Sequence, residues 1–166
     1  MRTLEDLMRE YQKLLDSGLI QQAYKGLMAY IMELRTLFSK TYPGLNPGSL
    51  YHGYMDMSYF PLFPEYLKSR KLKIAVVYLH EKGRFEVWLS GMNKQVQARY
   101  CRLFKDANGA TYRISTPEIG SDSIVEHTLT GHAGFKDLDT LTELITEGTI
   151  IFIQNIERIL KENIIN

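Results

Sequence analysis

The chain has little of what builds covalent or metal-bound frameworks. It holds one cysteine, Cys101, which excludes an internal disulfide and a thiolate zinc site. The four histidines, His52, His80, His127 and His132, lack metal-ligand spacing except for the last two. Those lie five apart around a helix end expected to break at Gly131, and read as surface residues. No apolar run approaches the ~20 residues that span a bilayer. The charged start "MRTLEDLMRE" lacks the apolar centre of a signal peptide. No Walker-type loop, dinucleotide fingerprint or nucleophile-elbow serine is present, so no cofactor and no acyl-transfer site is expected. What is expected from these is a soluble intracellular single domain spanning residues 1–166, long enough to bury a core without staples.

What the chain does have is uneven charge. The net charge is +1, but residues 66–113 sum to +8 (11 basic, 3 acidic) and residues 114–166 to −6 (3 basic, 9 acidic). A basic middle fits an anionic partner only if its charges cluster on one face. The simpler reading is that the two segments neutralise each other or are separately solvated.

Apolar spacing divides the chain into helices around a short β-rich centre. Leu4, Leu7, Met8, Tyr11, Leu14 and Leu15 keep the i, i+3, i+4, i+7 spacing of one buried stripe, with Thr3 as N-cap and Gly18 as stop. Ile20, Ala23, Tyr24, Leu27, Ile31, Leu34 and Phe38 form a second stripe, and the short link between the two predicts a helical hairpin. Gly26 inside the second helix points to close packing there. Residues 50–60, "LYHGYMDMSYF", alternate as a strand that Pro61 and Pro64 close. Asn93 caps a helix over 94–106, "TYRIS" adds a short strand, and "SIVE" matches a capping box that opens a short helix. A long last helix is expected from about Leu138 to Ile164, with Leu141, Ile145, Phe152, Ile156 and Ile159 inward. The fold class is α+β: an N-terminal helical hairpin and a small, mostly antiparallel sheet, with C-terminal helices on its apolar face.

Residues 73–80 and 84–91 form the clearest hairpin, and its register decides which side chains meet. A two-residue turn at Lys82-Gly83 places Trp88 and Glu86 with Val77 and Leu79. A three-residue loop puts Gly83 in a left-handed bulge and pairs His80 with Arg84. The second register gathers Ala75, Val77, Leu79, Phe85, Val87 and Leu89 on one apolar face. Tyr78, His80, Arg84, Glu86 and Trp88 then share the other face, and this segregation of polarity favours the three-residue loop.

The blocks "AYKGLMAYIMELR", "YHGYMDMSYFP", "RKLKIAVVYLH", "RFEVWLSGMNKQVQARY" and "DSIVEH" resemble an uncharacterised family of small bacterial proteins, a domain of unknown function, over nearly the whole chain. The resemblance implies a bacterial, cytoplasmic, single-domain protein. It carries over no activity, cofactor or catalytic residue.

The mixed sheet face is therefore the leading candidate site. His52, Tyr54 and Asp56 would line up beside Tyr78, Glu86 and Trp88, and the junction "SGMNK" would add Asn93, Lys94 and free N–H groups at a helix start. The expected role is a small-molecule or partner-binding module, not catalytic, in a monomer or homodimer. One alternative is metal-dependent phosphate hydrolysis by Asp56, Glu86 and Lys94. Another is nucleic-acid binding by Lys94, Arg99, Arg102 and Lys105 along the basic helix. Such a charge row is usually a solvated face.

Overall fold

A computed structural model describes residues 1–108, 111–115 and 122–164. Two helices lead the chain, α1 (Leu4–Leu15) and α2 (Leu19–Thr41). Thr3 caps α1 as expected: its hydroxyl accepts from the Asp6 N–H at 3.2 Å, and the Asp6 carboxylate accepts from the Thr3 N–H at 2.9 Å. Gly18 stands between the helices at φ +72°. Then follow β1 (Met57–Leu62), α3 (Glu65–Lys68), β2 (Leu72–Leu79), β3 (Arg84–Gly91) and α4 (Lys94–Asn108). The chain continues with β4 (Arg113–Ile114), β5 (Val125–Thr128) and α5 (Leu138–Asn163). Among the described residues the strands form one antiparallel sheet in the order β1-β2-β3-β5-β4. The end of the tail "ENIIN", residues 165–166, lies outside the described residues.

The hairpin register differs from the expected one. Leu79 pairs with Arg84 and Tyr78 with Phe85, across a four-residue loop, His80 to Gly83. Gly83 is left-handed, φ +61°, as the bulged turn required, but one residue later in the count. The inner face therefore carries Ile74, Val76 and Tyr78 beside Phe85, Val87 and Leu89, all buried. Trp88 and Glu86 share the outer face with Ala75, Val77 and Leu79. Polarity could not decide this, because β2 is apolar on both sides. Volume decides it instead: the large Ile74 and Tyr78 meet the helices with Val76, while the small Ala75 floors the outer face beside Val77.

Two further expectations change. The run 50–60 is not one strand but folds back on itself, so that Tyr51 bridges Tyr59. Gly53 at φ +75° makes the reversal, and a Cβ there would lie 1.9 Å from the Met57 carbonyl oxygen, so only glycine fits. β1 then continues through Pro61, which an edge strand tolerates because its missing N–H is not needed by the ladder. The "SIVE" segment runs into strand β5 and forms no helix. Pairing of β5 with β3 and β4 and burial of Ile124 and Val125 outweigh a four-residue capping signal.

The core lies between the inner sheet face and helices α2 and α5. The Phe38 ring meets Phe60 at 5.7 Å, Tyr30 meets Phe85 at 6.0 Å, and Phe152 stacks on His127 at 6.3 Å. All five expected inward residues of α5 are buried. Cys101, the one cysteine, is buried in this core, and burial pushes its thiol pKa up. Among the described residues no helix is long and apolar enough to cross a membrane.

Candidate functional site

With α2 and α5 on the inner side, the outer sheet face forms the floor of a cleft of about 680 Å³. Ala75, Val77 and Trp88 come from the paired strands β2 and β3, and Tyr59 comes from β1. Tyr51 leans on Tyr59 with ring centroids 5.0 Å apart. At the far end the start of α4 closes the cleft with Asn93, Lys94 and Gln97. Asn93 is the cap the sequence suggested: its Oδ1 accepts from the Val96 N–H at 2.9 Å. The Gln97 side chain accepts from the Gly91 N–H at 2.9 Å, which ties strand to helix at the cleft edge. Lys73 and Lys94 both line the cleft, and among the described residues neither forms an ion pair.

Glu86 explains why Trp88 stands where it does. The two are neighbours on one face because alternation along a strand puts residues two apart together. The indole Nε1 donates to Glu86 Oε2 at 2.7 Å. The other carboxylate oxygen accepts from Arg84 Nε at 2.9 Å and Nη2 at 2.5 Å. Arg113 Nη2 donates to Oε2 at 3.1 Å, while its Nε donates to Glu126 at 2.8 Å. Ser123 holds Glu126 in turn at 2.5 Å. Glu86 is fully buried within this chain of charges. Burial alone would push its carboxyl pKa up, but the hydrogen bonds from Trp88 and Arg84 and the charge of Arg113 outweigh it, so the pKa lies below the ordinary value. The carboxylate is therefore ionised, saturated with donors, and sets the plane of the indole.

The eight residues singled out from sequence divide evenly. Trp88, Asn93 and Lys94 line the cleft, and Glu86 braces it from below. His52, Tyr54 and Asp56 lie in the reversal before β1, beside the hairpin loop, where His80 N–H donates to the Asp56 carbonyl at 3.0 Å. Tyr54 is 89% exposed and lines nothing. Tyr78 points to the inner face, against Phe85 and Phe135. The mixed face drawn from the bulged-turn register does not exist, and the cleft is built by other residues. Tyr51, Tyr59, Lys73, Ser90 and Gln97 were missed. Alternation within 57–61 places Tyr59 opposite the buried Ser58 and Phe60, and so held the available signal.

The hydrolytic arrangement is not assembled either. Asp56 lies beyond the end of β1, while Glu86 is two strands away with its oxygens occupied. Among the described residues no group of three His, Cys, Asp or Glu could hold a metal ion. Arg99, Arg102 and Lys105 are exposed along α4, as a solvated or nucleic-acid-facing row would be.

The family described as Domain of unknown function (DUF7000) matches residues 4–160. The chain belongs to that family. No curated protein and no solved structure matches it. The DUF7000 match spans the cleft and the Glu86 brace alike and assigns a role to neither.

Proposed function

We propose that the protein is a non-catalytic binding module that holds a small planar anion in the outer-face cleft. The observation that supports this most is an indole fixed at the cleft wall by a buried carboxylate, with two lysines at the same cleft that pair with no acid among the described residues. Tyr51 and Tyr59 add aromatic surface, Ala75 and Val77 an apolar floor, and the N-terminus of α4 a positive dipole end. An aromatic ring on Trp88 with a carboxylate or phosphate toward Lys73 and Lys94 uses the aromatic and basic parts, and leaves the Asp122 carboxylate, also at the cleft, for a donor on the ligand. A protein presenting such a group would use the same parts.

As the single tryptophan, Trp88 reports the cleft directly. Acrylamide and iodide should quench its emission, and an aromatic carboxylate or a nucleoside monophosphate should protect it. Lys94→Ala and Lys73→Ala should each weaken protection by the monophosphate and leave the uncharged nucleoside unaffected. A blue-shifted emission untouched by quenchers means that Trp88 is closed in, and the reading goes. The exposed cations of α4 favour nucleic acid as a second reading. Salt-sensitive binding weakened by Arg102→Ala, with Trp88 unprotected, would support it.

A further inference from the structure

Among the described residues, two apolar surfaces of this chain are left uncovered. The first is α1. The stripe expected to be buried is open to solvent: Leu4, Leu7, Met8, Tyr11 and Leu14 are between 43% and 74% exposed, and no residue of the helix is buried. The side-chain bonds of α1 are local, Thr3 to Asp6, Glu5 to Arg9 and Glu10 to Lys13. An apolar stripe this regular belongs to a helix that packs on something.

The second surface is a groove of about 700 Å³ along the first half of α2, walled by Ile20, Tyr24, Leu27, Tyr30 and Phe135. Gly26 lies in it, and a Cβ built there would find nothing within 4 Å. Glycine inside a helix costs about 1 kcal/mol against alanine. Its φ is not positive and no neighbour among the described residues crowds it, so none of them requires glycine there. A second helix laid in the groove does, because glycine lets two helix backbones approach closely.

We propose that the groove of one copy receives α1 of a second copy, the two chains exchanging these helices about a two-fold axis. The chain's own α1 is turned away from its groove at a hydrogen-bonded joint. Asp16 N–H donates to Lys13, Gly18 N–H to Leu15, Gln22 N–H to Gly18, and the Gln21 side chain to the Leu15 carbonyl. The lengths agree: twelve residues of α1 span ~18 Å, and the groove between Ile20 and Tyr30 runs ~15 Å. The charges argue for protein over lipid. Arg2, Arg9 and Lys13 are balanced by Glu5, Asp6 and Glu10, whereas a helix that lies on anionic membranes is rich in cations on its polar face. Reciprocal exchange closes after two copies and makes the helix–groove contact twice, so each contact need bury only about half of the ~1,000 Å² a specific interface requires.

The test is the mass of the full chain in solution by light scattering or sedimentation, for the wild type, Leu7→Glu and Gly26→Gln. Both substitutions project into open space in the single chain, and circular dichroism confirms that each variant is folded. The wild type should be a dimer, and each variant should raise its dissociation constant at least on the order of thirtyfold, the scale of losing one anchor residue. A monomeric wild type overturns the proposal, whether its own α1 folds back or stays free. A dimer broken by Leu7→Glu but indifferent to Gly26→Gln overturns it too, since the helix then meets some surface other than the groove.

Discussion

Val87 and Glu86 are consecutive, and both are 0% exposed, yet they are buried by different physics. Val87 lies on the inner face of β3 with Phe85 and Leu89, under α2 and α5. That burial is apolar and non-directional, so it requires matched volume and little else. Glu86 is covered on the outer face by groups it bonds, Arg84, Arg113 and Trp88. Its burial is directional, and the desolvation of three charged groups leaves little net stabilisation. What the carboxylate secures is orientation: an indole held at one angle over the cleft. Equal burial thus marks fold on one side of the strand and a candidate site on the other.

The largest expected effect comes from breaking the outer network. Glu86→Ala leaves Arg84 and Arg113 without their shared partner and should cost about 3–5 kcal/mol by urea denaturation. Leu89→Ala on the inner face should cost about 2–5 kcal/mol by leaving a cavity. Size does not separate the faces, but repair does. Adding Arg84→Ala to Glu86→Ala should cost less than the two single losses together, because one orphaned charge is removed. Leu89→Ala should simply add to either. Strict additivity on the outer face would mean the network is not a unit.

The inner face was largely legible in the sequence and the outer face was not. Helical stripes in α2 and α5, and Phe85, Val87 and Leu89 in β3, follow from apolar periodicity, which marks the face an element offers to a core. The register was not legible, because β2 is apolar on both sides and polarity was read where volume decides. That error moved Tyr78 into the site and left Tyr59 and Lys73 out of it. The 52–56 reversal was hidden in a run that alternates like a strand, with only Gly53 to mark the turn. Long-range partners such as Arg113, twenty-seven residues from Glu86, leave no local pattern at all. The stripe of α1 was expected to be buried and is exposed; spacing marks an apolar face and does not say what covers it.

Acid separates the faces by window. Burial holds the His127 pKa below its ordinary value, with Glu86 offsetting only part of that. The unfolded chain therefore takes up a proton first. Stability from this residue is full above ~6.5 and is lost as pH falls from there toward the folded pKa. Glu86 also has a lowered pKa, but as an acid. Its contribution is full above ~4.3 and is lost as pH falls below that through the folded pKa. Urea midpoints should fall in two steps, the upper one reduced by His127→Phe and the lower one by Glu86→Gln; His80, whose pKa burial also lowers, shares the upper window, and Asp6, Asp56 and Asp137, lowered by their hydrogen bonds, share the lower one. A single step common to both variants would mean that the two groups titrate together across the sheet.

The smallest test sets two buried hydroxyls against each other. Ser90 opens to the outer face, and its Oγ donates to the Asp122 carbonyl at 2.7 Å. Thr149 is turned into the core from α5, and among the described residues its Oγ1 has no hydrogen-bond partner. Removing a satisfied hydroxyl loses its bond and leaves an acceptor behind, so Ser90→Ala should cost ~1 kcal/mol. Removing an unsatisfied one relieves a desolvation penalty already incurred, and valine keeps the shape of threonine. Thr149→Val should therefore stabilise the protein by ~1 kcal/mol. Two changes of similar size, each deleting one buried oxygen, should shift the urea midpoint in opposite directions. A loss of stability in Thr149→Val would mean that the core hydroxyl does have a partner, such as an internal water, and that the inner face is not the purely apolar side of the comparison.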